Sequence, residues 1–438
     1  MTERPGQKLG LFAAVALVMG NMIGSGVFLL PASLAAFGWN AVPGWIITIA
    51  GAMCLAHVLG RLSARHERAM GPAGLVEHSF GHTAGFLIGF SFWISVFTGN
   101  ATIALGAVSY LSSFLPWLGD HPALAALGVI WAVTLVNLIS IRAASAFQIV
   151  TLLLKLMPLI VVGVLIALVL GSRGGAALTP LPAEGFSLGA INSAAALALW
   201  AMVGFEAACG ASDKIANPQR NVARATMIGA GLTGTIYLVI CSGIALMLPA
   251  EQVTDAPAPF ALFVATYWSR EAAALVGLFA AISAIGAVNG WTLVQGELPR
   301  EMANRGMMPS WFGVTLNNGI AARALIVSSI LASLLVLANS SRTMAGLFAF
   351  MALLTTSVTL LLYLACALAA IKERVALLPA ALGCVFGLWC LYGAGIEAAG
   401  LAVLLSLCGL PLYWWTRRAA KSANQLASLR SQVNIPPH

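Results

Sequence analysis

Long apolar stretches, each about as long as a membrane-spanning helix, follow one another along most of the chain. A helix needs about 20 apolar residues to cross the hydrocarbon layer of a bilayer. Charged residues gather in the short connections between these stretches. The pattern predicts about twelve spans, at 9–37, 42–62, 83–115, 122–140, 145–171, 188–213, 223–248, 271–297, 322–339, 343–371, 376–394 and 396–415.

The composition supports this prediction and excludes other classes of protein. Only 8% of the 438 residues are charged and 60% are hydrophobic, whereas about a quarter of a soluble domain is charged. The net charge of +8 does not indicate nucleic-acid binding, because the basic residues lie between apolar stretches. The seven cysteines lie inside apolar stretches without CxxC spacing, so we expect neither a metal site nor a disulfide framework.

The distribution of lysine and arginine predicts the orientation. If the N-terminus is cytoplasmic, 18 basic residues fall in inner segments and 3 in outer loops. This asymmetry follows the positive-inside rule. We therefore expect an all-α polytopic protein of the cell membrane, the inner membrane in a bacterium, with both termini in the cytoplasm. Residues 1–415 form one transmembrane domain, and 416–438 form a cytoplasmic tail.

Two predicted spans are interrupted at matching positions. Residues 20–26 read Gly-Asn-Met-Ile-Gly-Ser-Gly, and residues 200–206 read Trp-Ala-Met-Val-Gly-Phe-Glu. Glycine weakens a helix by about 1 kcal/mol relative to alanine, and unwound backbone is tolerated in a bilayer only where it lines a cavity. Paired interruptions indicate a transporter's substrate site at the interface of an inverted repeat. Alternatively, these glycines only pack helices together.

The spacing of the interruptions, about 180 residues, divides the chain into two halves of five spans. Repeat one covers about 9–171, repeat two about 188–371, and two extra helices occupy about 376–415. Because five is an odd number, the second half is inverted relative to the first.

The motifs at these positions resemble the amino acid–polyamine–organocation (APC) family. They are most similar to its basic amino acid/polyamine antiporters, typified by the bacterial arginine/agmatine antiporter. The matching strings are residues 20–31 (GNMIGSGVFLLP), 99–100 (GN), 200–206 (WAMVGFE), 217–222 (NPQRNV) and 290–293 (GWTL).

The resemblance implies the five-plus-five inverted-repeat fold of the LeuT type, with discontinuous helices 1 and 6. It implies a secondary antiporter that exchanges a cationic amino acid for its decarboxylated amine, with arginine and agmatine as the leading pair. The partners are then small amino acid and amine substrates, the lipid bilayer and a second copy in a homodimer. No cofactor, metal or catalytic residue is expected.

An amino acid brings a carboxylate, which suits free N–H groups at a broken helix, and an ammonium, which suits free carbonyls. By resemblance, Ser25 and Gly26 offer N–H groups, and Met22, Trp200 and Val203 offer carbonyls. The candidate contacts to this head group are Met22, Ile23, Gly24, Ser25, Gly26, Trp200 and Val203.

The substrate side chain needs other contacts. Aromatic faces hold a desolvated cation by about 2 kcal/mol, and the resemblance puts Trp291 against the guanidinium and Trp200 over the aliphatic stem. The remaining candidates are Ser95, Val96, Asn100, Ile103 and Thr355. For Asn100 and Thr355 alone, hydrogen bonding between helices is the favoured role.

Glu206 is the one acid predicted at mid-membrane depth. A charge there is costly, so such residues are commonly functional. The resemblance implies that Glu206 senses protons and gates the inner side, with Phe92 and Tyr363 as aromatic gate residues. Alternatively, Glu206 is a structural acid satisfied by backbone amides.

Lys155 departs from the antiporter pattern, which has an apolar residue in the middle of the fifth span. A lysine here resembles other APC members that carry neutral or broader sets of amino acids. In those proteins the ammonium takes the place of a bound cation, bridging span 5 to broken span 1. Snorkelling to the membrane surface is the alternative. Lys155 therefore keeps open a second function, a proton-coupled or exchanging permease for neutral amino acids.

Other classes of function find no support in the sequence. There is no membrane cluster of histidines or acids for an enzyme, and no Walker motif for an ATP-driven pump. Paired broken helices are also not the pattern of a channel pore.

Overall fold

The computed structural model describes residues 8–24, 26–66, 71–139, 154–210, 215–316 and 319–418. These residues form a bundle of helices, with one isolated β-bridge between Leu9 and Ile215. The α-helices, in chain order, are α1 (Leu11–Met22), α2 (Gly26–Ala35), α3 (Ala41–Arg65), α4 (Gly71–Phe80), α5 (His82–Ser112), α6 (Trp117–Asp120), α7 (Pro122–Ile139), α8 (Leu156–Arg173), α9 (Leu188–Met202), α10 (Ala207–Gly210), α11 (Pro218–Met247), α12 (Ala250–Thr254), α13 (Pro259–Tyr267), α14 (Arg270–Asn304), α15 (Ala322–Ala338), α16 (Met344–Lys372), α17 (Leu377–Gly393) and α18 (Gly395–Leu407).

Eight helices in the described part of the chain are long and apolar enough to cross a membrane. The pair α1 and α2 qualifies as a ninth span, bent by 51° at its break, and α9, α15 and α17 are shorter apolar helices. Each of these overlaps a stretch that hydropathy predicts. Residues 145–153 of the fifth predicted span and 211–213 of the sixth lie outside the described residues.

Three helices in the described part of the chain are capped by a polar side chain at their start. The side chains of Ser187, Ser269 and Thr343 each accept a hydrogen bond from the backbone N–H three residues further on. These bonds satisfy one of the N–H groups that a helix start leaves without a partner. Pro218 opens α11, where its missing N–H costs nothing.

The centre of the bundle is α5, which is buried along nearly its whole length and packs against α14 and α16. α8 lies at the periphery instead. Its exposed side chains Leu156, Ile160, Val164 and Leu168 recur at every fourth residue. They therefore form one apolar stripe on the outer surface, as suits a helix that faces lipid.

Candidate substrate site

The two interrupted helices touch at their breaks. α1 ends at Met22 and α9 ends at Met202, after which the chain turns over residues 203–206. Gly204 has a φ of +115°, and a Cβ added there would lie 3.0 Å from the carbonyl oxygen of Asn21. Only glycine tolerates both conditions. The breaks therefore meet backbone to backbone.

A cavity opens beside this contact, between the interruptions and helices α5, α14 and α16. Its lining residues are Asn21, Met22, Gly24, Gly26, Phe92, Ser95, Val96, Gly99, Ile103, Trp200, Ala201, Val203, Trp291 and Thr355. Eleven of these are residues that the sequence nominates for the site. Asn21, Gly99 and Ala201 are the three that it does not nominate, although each lies within a quoted motif.

α5 presents one face to the cavity. That face consists of Phe92, Ser95, Val96, Gly99 and Ile103. These positions follow the i, i+3, i+4, i+7 and i+11 spacing of a single helix face. The same spacing, applied to the sequence, selects Gly99 and passes over its neighbour Asn100.

Asn100 instead points to the neighbouring helices. Its amide group lies 2.8 Å from the side chain of Gln295 and 3.2 Å from Thr292, both on α14. Gln295 in turn donates from Nε2 to the hydroxyl of Ser329 on α15, at 3.0 Å. Asn100 therefore belongs to a buried polar network behind the cavity, and its predicted contact with substrate remains a prediction.

Two tryptophans give the cavity aromatic walls. Trp200 lies in the last turn of α9 and packs over Gly99, where an added Cβ would lie 3.5 Å from the indole ring. The indole Nε1 of Trp200 has no hydrogen-bond partner among the described residues, and it faces Gly26 at the start of α2. Trp291 comes from α14. Trp200 thus contributes its ring to the cavity wall, while its Nε1 is packed against Gly26.

Two buried tyrosines hold the carbonyls of the first interrupted span. The hydroxyl of Tyr237 donates to the Met22 carbonyl at 2.9 Å, and that of Tyr110 donates to the Phe28 carbonyl at 2.8 Å. The Met22 carbonyl also accepts from the Gly24 N–H at 2.8 Å. A substrate ammonium bound at Met22 must therefore displace one of these donors. Nothing in the surroundings of Tyr237 or Tyr110 in the sequence indicates this role.

The other head-group candidates at the break differ in their placement. Ile23 is buried, and its N–H donates to Met19 at 2.8 Å, so it supports the break without lining the cavity. Ser25 lies outside the described residues. Thr355 lines the cavity, and its hydroxyl lies 3.0 Å from the hydroxyl of Thr98 and 2.8 Å from the Met351 carbonyl.

Glu206 is buried in the second interruption and is paired with Tyr363. Its Oε2 accepts hydrogen bonds from the Tyr363 hydroxyl at 2.7 Å and from the Gly204 N–H at 3.0 Å. Its Oε1 has no partner among the described residues. The ring of Phe205 stacks on Tyr363, with centroids 4.8 Å apart. The arrangement joins the break after α9 to α16 through one carboxyl group.

Lys155 is buried at the start of α8, with 3% of its surface exposed. Its ammonium donates to the carbonyl oxygen of Gly20 in α1, at 3.4 Å. This oxygen precedes the break by one turn of helix. Lys155 therefore contacts the interrupted span but does not line the cavity.

A family model described as amino acid permease matches residues 9–415. The chain belongs to the amino acid permease family. The permeases are membrane transport proteins, so the chain is an integral membrane transporter and not an enzyme.

Individual relatives of this permease match over most of their length. It is 34% identical over 429 residues to the cadaverine/lysine antiporter of Escherichia coli K12, covering 93% of this chain and 94% of the relative. It is 27% identical to the putrescine transporter PotE of the same strain, over 94% and 97% of the two chains. It is 29% identical to a putative arginine/ornithine antiporter of Bacillus subtilis 168, over 84% of each. These matches confirm the resemblance to the basic amino acid/polyamine antiporters of the APC family.

Proposed function

We propose that this permease exchanges a cationic amino acid for its decarboxylated amine by alternating access. The observation that carries the proposal is the cavity between two interrupted helices, walled by Trp200 and Trp291 and lined by no acidic side chain among the described residues. A substrate cation there is held by aromatic faces and backbone carbonyls, which suit a compact or a planar cation alike.

Two substrate pairs fit this chemistry. Arginine with agmatine is the pair that the motifs imply. Lysine with cadaverine is supported by the relative of 34% identity, whose name specifies that exchange. In both pairs only the amino acid has a carboxylate, so the amino acid engages the start of α2 and the amine does not. We place lysine with cadaverine first.

Such an exchange moves charge. The amino acid carries a net charge of about +1 and the amine about +2, by the ordinary side-chain and terminal pKa values. Each inward amino acid exchanged for an outward amine therefore exports one positive charge. Decarboxylation consumes one proton in the cytoplasm, so the cycle would serve acid resistance.

The architecture that supports this cycle is also proposed. Its elements are twelve spans, of which five and five form an inverted repeat, followed by two C-terminal helices. Both termini lie in the cytoplasm, and the functional unit is a homodimer. The 51° bend between α1 and α2 and the break after Met202 support the proposal, because broken helices in both halves are typical of such transporters. Glu206 and Tyr363 link proton concentration to gating, and Phe92 closes the cavity.

Lys155 supports a second candidate, a permease for neutral amino acids. Its ammonium on the Gly20 carbonyl already places one positive charge near the interrupted helix. That charge repels a second cation. The repulsion is weaker in a cavity that contains water than in a dry protein interior.

Exchange in liposomes distinguishes the candidates. Purified protein is reconstituted, loaded with unlabelled cadaverine, agmatine, lysine, leucine or nothing, and supplied with radiolabelled lysine, arginine or leucine outside. The proposal expects uptake only with a loaded amine or cationic amino acid. With a loaded amine, uptake should be faster when valinomycin and potassium compensate the positive charge that each exchange moves out of the liposome. Stimulation by leucine alone would favour the neutral permease, and uptake into empty liposomes would contradict obligate exchange.

A further inference from the structure

Three metal-binding side chains meet at one end of the bundle, away from the substrate cavity. They are His66 at the end of α3, His78 in the last turn of α4 and Glu373 at the end of α16. One ligand atom from each lies within 4.8 Å of the others. In the part of the chain that the structure describes, no other group of three such side chains is this close.

The cluster is held together by direct contacts. His66 Nε2 lies 2.6 Å from Glu373 Oε2, and the rings of His66 and His78 have centroids 4.1 Å apart. Ser79 donates to the other carboxyl oxygen, Oε1. The side chain of Glu373 is only 14% exposed, yet the cluster borders a pocket that opens to the surface. An ion can therefore reach it.

The backbone around the cluster favours a cation. Helices α3, α4 and α16 all end here, so the partial negative charge of three helix C-termini converges on one point.

Two basic side chains work against cation binding. Arg65 Nε lies 3.8 Å from Glu373 Oε2, but this side chain is 57% exposed, so water screens its charge. Lys372 donates to the Ser79 carbonyl at 2.6 Å and lies over the ring of Phe80. Lys372 is thus engaged by Ser79 and Phe80, and the charge of Arg65 weakens cation binding at Glu373 without replacing any of the three ligands.

The donor set determines the kind of metal. Imidazole nitrogen and one carboxylate suit Zn²⁺ and its neighbours in the transition series, whereas Mg²⁺ and Ca²⁺ prefer oxygen ligands alone. Ligand atoms at about 2.0–2.2 Å from a metal in a tetrahedron lie about 3.3–3.6 Å apart. To reach this distance, the ligand atoms of His66 and Glu373 must move slightly apart, and the most widely separated pair of ligand atoms must move closer together. Side-chain rotations allow both movements. Three protein ligands leave the fourth position for water.

We propose that His66, His78 and Glu373 form a binding site for a divalent transition metal of the Zn²⁺ class, and that the bound metal slows transport. The metal would tie α3 and α4 to α16. The same α16 carries Thr355 at the cavity and Tyr363 on Glu206. A clamp at the end of α16 therefore opposes any movement of that helix during alternating access. The orientation rule places this end in the cytoplasm.

Cobalt provides a spectroscopic test that does not depend on transport. The full chain, purified without a histidine tag and treated with chelator, is titrated with Co²⁺ while its visible d–d absorption is followed. We expect one equivalent to bind with a tetrahedral spectrum, and His66→Ala, His78→Ala and Glu373→Gln each to weaken binding at least tenfold. His82→Ala is the matched control, because His82 pairs with Glu77 at 2.8 Å and lies outside the cluster.

Exchange then tests the clamp. Zn²⁺ inside the liposomes should slow exchange by the unmodified protein and should leave His78→Ala unaffected, while both proteins exchange equally without metal. Absence of Co²⁺ binding, or binding by all three cluster variants as tight as that of the unmodified protein, overturns the site. Binding without slower exchange overturns the clamp. A chain that binds Co²⁺ but exchanges none of the proposed substrates retains the metal site and loses the proposed function.

Discussion

Replacing Glu206 by glutamine tests the proton-linked step with little disturbance of shape. In the structure Oε2 of Glu206 accepts from both the Tyr363 hydroxyl and the Gly204 N–H, at 2.7 and 3.0 Å. The amide oxygen of glutamine can accept the same two bonds, but the amide cannot ionise. We therefore expect Glu206→Gln to fold and bind substrate, and to lose most of the pH dependence of exchange.

The hydrogen bond from Tyr363 sets the size of the effect in a second variant. A hydrogen bond contributes about 1.5–3 kcal/mol when one partner is charged and about 0.5–1.5 kcal/mol when both are neutral. The Tyr363 hydroxyl thus favours the ionised carboxylate over the acid by about 1 kcal/mol, which corresponds to about 0.7 pH unit. Tyr363→Phe removes that preference, so the midpoint of the pH profile should move to higher pH by about this amount.

The assay is the initial rate of lysine/cadaverine exchange in liposomes with equal pH on both sides, from acidic to neutral conditions. The double variant Glu206→Gln with Tyr363→Phe is the control, and it should show no midpoint to shift. If Glu206→Gln retains the unmodified pH profile, the proposed proton sensor is wrong. If Glu206→Gln loses the pH dependence but Tyr363→Phe leaves the midpoint unchanged, the Tyr363 hydroxyl does not affect the ionisation of Glu206.

Three further variants test the breaks and the cavity. Gly204→Ala should lower the free energy of unfolding by about 2 kcal/mol or more, because Gly204 has a φ of +115° and a carbonyl oxygen would lie 3.0 Å from the new Cβ. The melting temperature of this variant in detergent should fall well below that of Gly231→Ala, whose Cβ meets only ordinary contacts. Lys155→Met leaves the Gly20 carbonyl without its side-chain donor, and a buried acceptor without a partner costs about 1–3 kcal/mol. Exchange should therefore slow at least tenfold. An unchanged rate would contradict a bridging role for Lys155. Trp291→Ala should weaken binding of lysine about 30-fold by calorimetry, for about 2 kcal/mol of cation–π attraction; an equal loss for leucine would indicate packing instead.

The sequence predicts the apolar helices and the two breaks because both depend on local composition. Gly24, Gly26 and Gly204 interrupt long apolar stretches, and glycine is a poor helix former that is visible in the string itself. Hydropathy does not predict α4, α12 or α13, because these helices lie between the spans and are too short for a membrane window.

The details of the site depend on which way each helix faces. Asn100 is attractive as an isolated polar residue, yet it lies one position, about 100° around the helix, from the face that Gly99 shares with the cavity. Partners far apart in the chain leave no local signal at all. Tyr237 reaches Met22 across 215 residues, and Glu373 reaches His66 across 307.

The contact of Gly204 with Asn21 joins the two interrupted segments at a single pair of backbones. Since no side chain intervenes, neither segment has a residue whose replacement could compensate for a change in the other. A segment taken from a related permease would therefore be accepted only if its own break has the same backbone course. Chimeras that exchange one interrupted segment can thus measure how far two permeases share one geometry, independently of what they carry.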